Sequence, residues 1–187
     1  MTPTLRTSRA LLRPFTPDDT DAIFALLSNP HLLRYWNEPT WSERAQAERF
    51  TAMCNEIEEE DIRVHLAIEC VADGAFIGWC FLEDWDPRHR RAAVGLCLDE
   101  KVWGQGFASE VTATLVQWAF DTLNLNRIET DTDPRNIAAA RALEKLGFVR
   151  EGLLREDCIV NGEVCDSLMY GLLRREWKPL QSRSSEV

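Results

Sequence analysis

The chain has 187 residues, of which 45% are hydrophobic and 28% charged, and its formal net charge is −10. This length and composition fit one globular domain and exclude a disordered chain. The acidic balance argues against a protein that binds nucleic-acid phosphates. Two interpretations of the acidity stay open: it keeps the protein in solution, or it attracts a cationic substrate, to which the acidic run from Glu56 to Asp61 would contribute.

Neither a leader nor a membrane span is predicted. The first residues lack the apolar run of a signal peptide, and no later segment approaches the roughly 18 consecutive apolar residues of a span. The six cysteines form no Cys-x-x-Cys pair, so the sequence suggests neither a zinc site nor a redox motif, and buried reduced thiols are expected. We therefore predict a cytoplasmic protein with no metal, no membrane partner and no nucleic-acid partner.

Hydrophobic periodicity and turn signals predict an α/β (α+β) domain with a mixed sheet. In chain order, the first expected elements are a strand within 5–15, a helix from Thr16, and a second helix that starts between Thr40 and Ser42 and runs into the acidic stretch. Strands at 64–70, 75–82 and 92–98 follow, and then a helix from the glycine-rich loop to about Leu123. The last expected elements are a strand at 127–132, a helix at 136–146, and strands at 149–159 and 164–173. Asp73-Gly74 and Asn161-Gly162 predict tight hairpin turns. The domain is expected to span residues 1–178 and to be followed by a flexible polar tail, 179–187.

The sharpest local motif is Trp103-Gly104-Gln105-Gly106-Phe107-Ala108-Ser109, between a predicted strand and a predicted helix. Glycines there let backbone N–H groups turn inward, and a helix N-terminus adds partial positive charge, so a pyrophosphate could be held without basic side chains. A purely structural tight turn is the alternative. The Lys-Ser/Thr of a Walker A loop is absent, and three antiparallel strands before the loop disfavour a dinucleotide oxidoreductase.

A second motif runs from Asn136 to Phe148, with the sequence NIAAARALEKLGF. Together with the glycine-rich loop, it resembles the acetyl-CoA-binding core of the GNAT N-acetyltransferase superfamily. The branch that contains the ribosomal-protein (alanine) N-terminal acetyltransferases is the closer match, because the resemblance extends over roughly residues 5–178. It includes the segments Leu11–Phe15, Phe76–Gly78 and Glu151-Gly152.

The resemblance implies a mostly antiparallel sheet of about seven strands flanked by about four helices, with the strands at 92–98 and 127–132 splayed apart at one end. It implies that the pantetheine arm of acetyl-CoA lies in this gap and that the pyrophosphate accepts from backbone N–H groups of the loop. Arg141 would approach the 3′-phosphate, although an exposed arginine is the simpler interpretation. The implied acetyl-CoA-binding residues are Leu96, Cys97, Leu98, Trp103, Gly104, Gln105, Gly106, Phe107, Ala108, Asn136 and Arg141.

The implied reaction is direct attack of a neutral amine on the acetyl thioester, which needs a proton acceptor and a donor for the developing oxyanion. The places where the family carries an acid or a base hold Ala139, Leu143 and Cys158 here. The remaining candidates for catalysis are Asn136, Glu83, Asp84, Asp157 and Tyr170. Each also has a simpler interpretation, as a helix cap for Asn136, a surface carboxylate for the three acids and a buried tyrosine for Tyr170.

Three functions follow as hypotheses. The first is an acetyl-CoA-dependent N-acetyltransferase that acts on a protein or peptide N-terminal amine, with a cationic peptide or protein as partner. The second is acetylation of a small amine, such as a polyamine, an aminoglycoside or an amino acid derivative. The third is a non-catalytic protein that binds or senses acyl-CoA, which the missing acid and base favour. A homodimer formed through a sheet edge is also left open.

Overall fold

The structure, a computed structural model, describes residues 2–54 and 63–179, and this part of the chain folds into eight β-strands and four α-helices. The strands are β1 (Leu5–Arg6), β2 (Ala10–Arg13), β3 (Val64–Cys70), β4 (Phe76–Asp86), β5 (Arg91–Leu98), β6 (Arg127–Thr132), β7 (Val149–Val160) and β8 (Glu163–Leu173). The helices are α1 (Thr20–Leu27), α2 (Arg44–Met53), α3 (Phe107–Thr122) and α4 (Ile137–Lys145). The predicted mixed α/β class is confirmed.

All eight strands form one sheet in the order β1-β2-β3-β4-β5-β6-β8-β7, and the pairs are antiparallel except β5 with β6. The parallel ladder of β5 and β6 joins only three residue pairs, from Arg91 opposite Arg127 to Ala93 opposite Glu129. Beyond Ala93 the two strands separate, so β5 keeps an edge from Val94 to Leu98 that pairs with no described strand on that side. The expected splay between these strands is confirmed.

The sheet has one strand more than the expected seven, because residues 5–15 form two short strands rather than one. The Thr7 hydroxyl oxygen accepts from the backbone N–H groups of Arg9 (3.1 Å) and Ala10 (2.7 Å), which closes a tight turn between β1 and β2. The Ser8 hydroxyl donates to the Glu110 carboxylate of α3 at 2.8 Å. The turn therefore also attaches the sheet edge to α3.

The first helix begins later than Thr16, because Thr16 introduces a single 3-10 turn and α1 follows only at Thr20. The Asp19 carboxylate accepts from the Thr16 backbone N–H (2.8 Å) and from the Arg13 guanidinium (2.8 Å). Asp19 is therefore buried and paired, rather than an exposed acid at the helix N-terminus. Burial alone would raise the Asp19 pKa, but the hydrogen bonds from Arg13 and Thr16 outweigh it and lower the pKa below its usual range.

The second helix begins at Arg44, a few residues beyond the predicted start. The Gln46 side-chain oxygen accepts from the backbone N–H groups of Ser42 (2.9 Å) and Glu43 (3.0 Å), which closes a capping box around Glu43. The predicted continuation of this helix into the run from Glu56 to Asp61 lies outside the described residues. The same holds for residues 180–187 of the predicted tail.

Two apolar clusters lie on opposite faces of the sheet, so the domain has three layers. One face packs against α3 and α4, and the other packs against α1 and α2. The second cluster is rich in aromatic rings: the His65 ring stacks on Trp79 with centroids 5.4 Å apart, and Phe50 packs edge-on against both. Because side chains alternate along a strand, β5 contributes Val94 and Leu98 to the first cluster and Cys97 to the second.

All six cysteines are free thiols; four are buried as expected, whereas Cys70 and Cys158 are half-buried. Burial, with a smaller contribution from Glu83, raises the pKa of the Cys54 thiol to about 12, and burial likewise raises the pKa of Cys80 and Cys97. Across the described residues, no group of three or more His, Cys, Asp or Glu side chains is placed to hold a metal ion. Within the same part of the chain, no helix is long and apolar enough to cross a membrane. The cytoplasmic location stays a prediction.

Candidate active site

A cavity of about 290 Å³ opens where β5 and β6 separate, and its walls come from both faces of the sheet. On the α3/α4 side the wall includes Val94, Leu96, Ala108, Thr112, Ala139, Ala142 and Leu143. On the α1/α2 side it includes Tyr35, Trp36, Asn37, Phe81, Asp131, Cys158 and Ser167. The gap in the sheet therefore connects the two outer layers of the domain.

The glycine-rich loop leads into α3 beside this gap. Gly104 (φ 72°) and Gly106 (φ 85°) are both in the left-handed region, where glycine avoids the strain of a Cβ atom. Gly106 is the residue that caps α3, so the first backbone N–H groups of the helix have no acceptor within it. These N–H groups and the helix dipole favour an anion, and Ala108 connects the loop to the cavity wall.

Arg9 holds this loop in place, although the sequence analysis did not single it out. Its guanidinium donates to the Gln105 carbonyl oxygen at 2.9 Å and pairs with the Glu110 carboxylate at 2.7 Å. The same guanidinium carbon lies 4.5 Å from the centre of the Phe107 ring. The β1–β2 turn therefore fixes both the loop and the first turn of α3, and nothing in the local sequence signals contacts across about a hundred residues.

The remaining residues predicted for acetyl-CoA lie at different distances from the cavity. Leu96 lines it, and Cys97 and Leu98 continue the unpaired edge of β5 as buried residues. Trp103 is 40% exposed, and its indole N–H donates to the Leu98 carbonyl at 2.8 Å, which brings the loop onto the end of β5. Arg141 is exposed on α4 and is not among the residues that line the cavity.

Asn136 both caps α4 and lines the cavity. Its side-chain oxygen accepts from the Ala139 backbone N–H at 3.2 Å, which is the N-cap hydrogen bond that asparagine commonly makes. The same residue belongs to the cavity wall. Asn136 can therefore cap the helix and also contact a ligand in the cavity.

The structure does not bring the predicted catalytic groups together. Glu83 lies 2.9 Å from Nε2 of the buried His65, and Asp84 is exposed at the irregular end of β4, where its φ is 52°. Tyr170 is 1% exposed, and its hydroxyl donates to the Glu144 carboxylate at 3.3 Å. Asp157 is exposed on β7. Among the five predicted groups, Asn136 lines the cavity, and the roles of the other four stay predictions.

Asp131 is a cavity carboxylate that the sequence analysis did not assign to catalysis. It shares one face of β6 with Glu129, since alternate residues of a strand point the same way, and Asp133 follows just beyond the strand. Glu129 is paired with Arg127 at 2.9 Å, and Asp133 is paired with Arg135 at 2.7 Å. Among the described residues, no cation pairs with Asp131.

The electrostatics of these acids differ accordingly. Desolvation at the cavity wall, with a smaller contribution from the charge of Asp157, raises the pKa of Asp131 above its ordinary value. The hydrogen bonds from Arg135 lower the pKa of Asp133. Asp131 is thus the lining carboxylate whose charge no neighbouring arginine neutralises.

The segment after α1 forms the outer wall of the α1/α2 side. The Arg34 guanidinium lies 4.7 Å from the Tyr35 ring centre and 5.3 Å from that of Trp103, which connects this wall to the glycine-rich loop. The Arg135 guanidinium lies 5.9 Å from the centre of the Tyr35 ring. His31 pairs with Glu100 at 3.1 Å. The wall is therefore attached both to the loop and to the end of β6.

Comparison with known proteins bears on this arrangement. Residues 9–149, about three quarters of the chain, match the sequence model of the Acetyltransferase (GNAT) domain. The chain belongs to this family. It is 34% identical over 174 residues to an uncharacterized N-acetyltransferase, p20, of Bacillus licheniformis, covering 93% of this chain and 98% of that protein. Such membership identifies the chain as an N-acetyltransferase of a family that uses acetyl-CoA.

Two further relatives differ in the acceptor that their names give. The chain is 32% identical over 106 residues to YdaF of Bacillus subtilis, named as a candidate ribosomal N-acetyltransferase, covering 57% of this chain and 58% of YdaF. It is 26% identical to the spermidine N(1)-acetyltransferase of Escherichia coli K12, covering 89% and 87%. A spermidine N-acetyltransferase of Vibrio cholerae, solved with CoA and spermine, shares the fold with a TM-score of 0.81 at 24% identity, covering 90% of this chain and 98% of its own.

The places where GNAT enzymes carry an acid or base face the cavity in this chain too. Ala139, Leu143 and Cys158 all belong to its wall. The Cys158 sulfur lies 3.9 Å from the Ser167 hydroxyl oxygen and 3.8 Å from the Cys165 carbonyl oxygen. The three places at which the resemblance implies an acid or a base therefore line the cavity, and they hold an alanine, a leucine and a cysteine.

Proposed function

We propose that this enzyme transfers the acetyl group of acetyl-CoA to the N-terminal amine of a peptide or protein by direct attack, as in the ribosomal-protein branch of the family. The observation that carries this proposal is the cavity that connects the two faces of the sheet at the gap between β5 and β6. Donor and acceptor can then approach from opposite layers and meet at the gap in the sheet.

The donor fits the α3/α4 side. The unpaired edge of β5 from Val94 to Leu98 offers backbone N–H and carbonyl groups to the amide-containing pantetheine arm, in the way that an added strand pairs with a sheet edge. The N–H groups at Gly104 to Ala108 would hold the pyrophosphate, with Asn136 beside the pantetheine. Because this site is built from backbone groups, an acidic protein can bind an anionic molecule there.

The acceptor site on the α1/α2 side favours a single amine over a polyamine. Asp131 and Asp133 are the carboxylates of the cavity wall, and Arg135 already neutralises Asp133. One unpaired carboxylate matches one ammonium group, whereas a polyamine brings several charges that each need a partner. The rings of Tyr35 and Trp36 offer apolar surface to the side chains that follow an N-terminal amine.

The chemistry of an N-terminal amine also suits this site. Its pKa is about 7.7–8.0, against about 10.4 for a lysine side chain, so a substantial fraction of it is uncharged near neutral pH. The attack then needs less help from a strong base, which agrees with Ala139, Leu143 and Cys158 at the family's acid and base places. A small-molecule amine is the second candidate, and the similarity to a spermidine acetyltransferase supports it.

An acceptor panel tests the proposal. Release of the CoA thiol would be followed with peptides that differ in their first residue, the same peptides blocked by Nα-acetylation, simple monoamines and spermidine. We expect transfer to unblocked peptides and none to blocked peptides that contain lysine. Transfer to spermidine or a monoamine alone would favour the small-molecule alternative. Tight acetyl-CoA binding with no transfer across the panel would favour the acyl-CoA-binding alternative.

We also propose that β7 forms a homodimer contact. This 12-residue strand is one edge of the sheet, and the hairpin that contains it exposes Leu153, Leu154, Ile159 and Val164. An exposed edge with apolar side chains favours pairing with a second copy. Light scattering coupled to size exclusion should give a dimer mass, and Leu154→Lys with Ile159→Lys should give a monomer.

A further inference from the structure

We propose that Asp131 is the catalytic carboxylate that receives the acceptor amine and accepts the proton that the attacking nitrogen loses. This inference rests on the proposed function and assigns the acceptor-side residue of that same site. Asp131 lies on β6 just beyond the last residue paired with β5, Glu129, at the point where the sheet opens. A group at this position meets a ligand that enters from the α1/α2 side.

The pairing pattern along β6 supports the assignment. Arginine neutralises Glu129 and Asp133, at 2.9 and 2.7 Å, whereas Asp131 between them has no cationic partner among the described residues. Asp131 is an exposed residue whose carboxylate is in part desolvated by the wall, so its unpaired charge carries a small free-energy cost. A cationic ligand that binds there would offset this cost, and an acceptor amine is the cation that the reaction brings.

The surroundings leave Asp131 as the one carboxylate among the described lining residues that has no cationic partner. The titratable groups that share its wall are Tyr35, Cys158 and Asp133 with its partner Arg135, and Asp157 acts on it from β7. The negative charge of Asp157 increases the proton affinity of Asp131.

The ammonium group that Asp131 receives first releases one proton to solvent, and the amine becomes neutral. The lone pair of the neutral amine forms the C–N bond with the thioester carbonyl carbon, and the carbonyl electron pair moves to oxygen. The nitrogen becomes cationic and strongly acidic, and Asp131 accepts one of its protons. The carbonyl re-forms, the C–S bond breaks, and the electron pair leaves on sulfur, which takes a proton from water. Asp131 then returns its proton to solvent.

The primary test compares Asp131→Asn with Glu129→Gln, which removes one carboxylate charge from the same face of the same strand. For an acceptor from the peptide panel, we expect Asp131→Asn to lower kcat/KM by about 100-fold, the usual contribution of a positioned base. Calorimetry should show acetyl-CoA affinity within about twofold of wild type, because the donor side is untouched. Glu129→Gln should keep kcat/KM within about threefold of the wild-type value.

Two further readouts separate proton transfer from a structural role. Asp131→Ala removes the carboxylate and leaves space, so sodium formate should restore part of the rate, whereas sodium chloride at the same ionic strength should not. Because the Asp131 pKa is raised in the fold, its ionised form opposes folding above that pKa. The Tm of Asp131→Asn at pH 7 should therefore equal or exceed that of wild type.

The outcomes discriminate between the inference and the function on which it rests. An active wild type with Asp131→Asn within about threefold of it would overturn the role of Asp131 and leave the proposed function standing. A slow Asp131→Ala variant that formate does not restore would overturn the proton transfer. A wild type that acetylates no N-terminal amine would overturn the proposed function, and the inference with it.

Discussion

The two sides of the cavity are built in different ways. The α3/α4 side has small and apolar side chains, such as Ala108 and Ala139, beside backbone features: two left-handed glycines, the start of α3 and an unpaired edge of β5. The α1/α2 side consists of side chains from segments far apart in the chain, among them Tyr35, Asp131 and Ser167. Backbone groups are the same in every sequence that keeps the fold, whereas side chains can change one at a time. The difference teaches that the proposed donor site depends mainly on backbone conformation and the proposed acceptor site on residue identity.

The largest expected effect comes from filling the donor side. Ala139 and Ala138 are neighbours on α4, but Ala139 lines the cavity and Ala138 is exposed. We expect Ala139→Trp to weaken acetyl-CoA binding by about 100-fold, because a ring in the gap must be displaced at a cost of about 1–3 kcal/mol. Ala138→Trp should change it by less than about twofold. Equal affinities of the two variants in calorimetry would contradict the placement of the donor.

A smaller effect is expected from backbone conformation alone. Gly104 in the loop and Gly74 in the β3–β4 hairpin have nearly the same φ, 72° and 71°, and both have open space where an alanine Cβ would lie. Replacement by alanine should cost both about 1 kcal/mol of stability. We expect Gly104→Ala to lower acetyl-CoA affinity by about fivefold and Gly74→Ala to leave it unchanged.

If both variants lose stability alike and neither loses affinity, the loop is a structural turn and the pyrophosphate lies elsewhere. The two variants can be compared directly, because an alanine at positive φ costs nearly the same free energy of folding at both positions. Urea denaturation gives the common loss of stability, and calorimetry with acetyl-CoA gives the difference in affinity. Any extra loss in Gly104→Ala then reports the loop's contact with the donor.

The same contrast explains what the sequence could predict. Hairpin turns and the donor loop were recognisable because positive φ selects glycine, and the structure gives positive φ at Gly74, Gly104, Gly106 and Gly162. The order of the helices and sheet strands followed from periodicity. The split of residues 5–15 into β1 and β2 did not, because a Thr7 hydroxyl and contacts with Glu110 decide it.

The acceptor side was beyond the reach of local patterns. The sequence shows an acid at every second position, 129, 131 and 133, so that the acids within the predicted strand share one face. The sequence does not show which of these acids pairs with an arginine, because the side chains of Arg127 and Arg135 could each reach more than one of them. The free carboxylate at Asp131 therefore becomes visible only when the ion pairs of its neighbours are known.

A moderate effect on the acceptor side is expected from Arg135→Gln. Arg135 pairs with the buried Asp133 (2.7 Å) and with Glu163 (2.9 Å) and lies near Tyr35. Because its side chain is half-exposed, we expect only a small loss of stability. The acceptor KM should rise while acetyl-CoA affinity stays the same. Arg175→Gln, which removes an exposed charge just after β8, is the matched control.

This loss should depend on pH in a definite direction. Arg135 lowers the pKa of Asp133 in the folded protein, so the pair stabilises the fold above the unfolded Asp pKa of about 3.9. The contribution disappears as pH falls through the folded pKa. The difference in Tm between wild type and Arg135→Gln should thus be full at about pH 6–7 and shrink below about pH 4. A difference that grows on acidification would contradict the ion pair.

The smallest effect is expected at Tyr170, the aromatic candidate for an acid. Its hydroxyl is buried away from the cavity lining and donates to Glu144 at 3.3 Å, and burial together with Glu144 raises its pKa. Removing this long hydrogen bond in Tyr170→Phe should cost about 0.5–1 kcal/mol of stability and leave kcat within about twofold. A 100-fold fall in kcat with unchanged stability would instead place the hydroxyl in the reaction. Proton donation to the leaving sulfur would then come from the α3/α4 side of the sheet, opposite Asp131, because Tyr170 packs in the apolar cluster of that face.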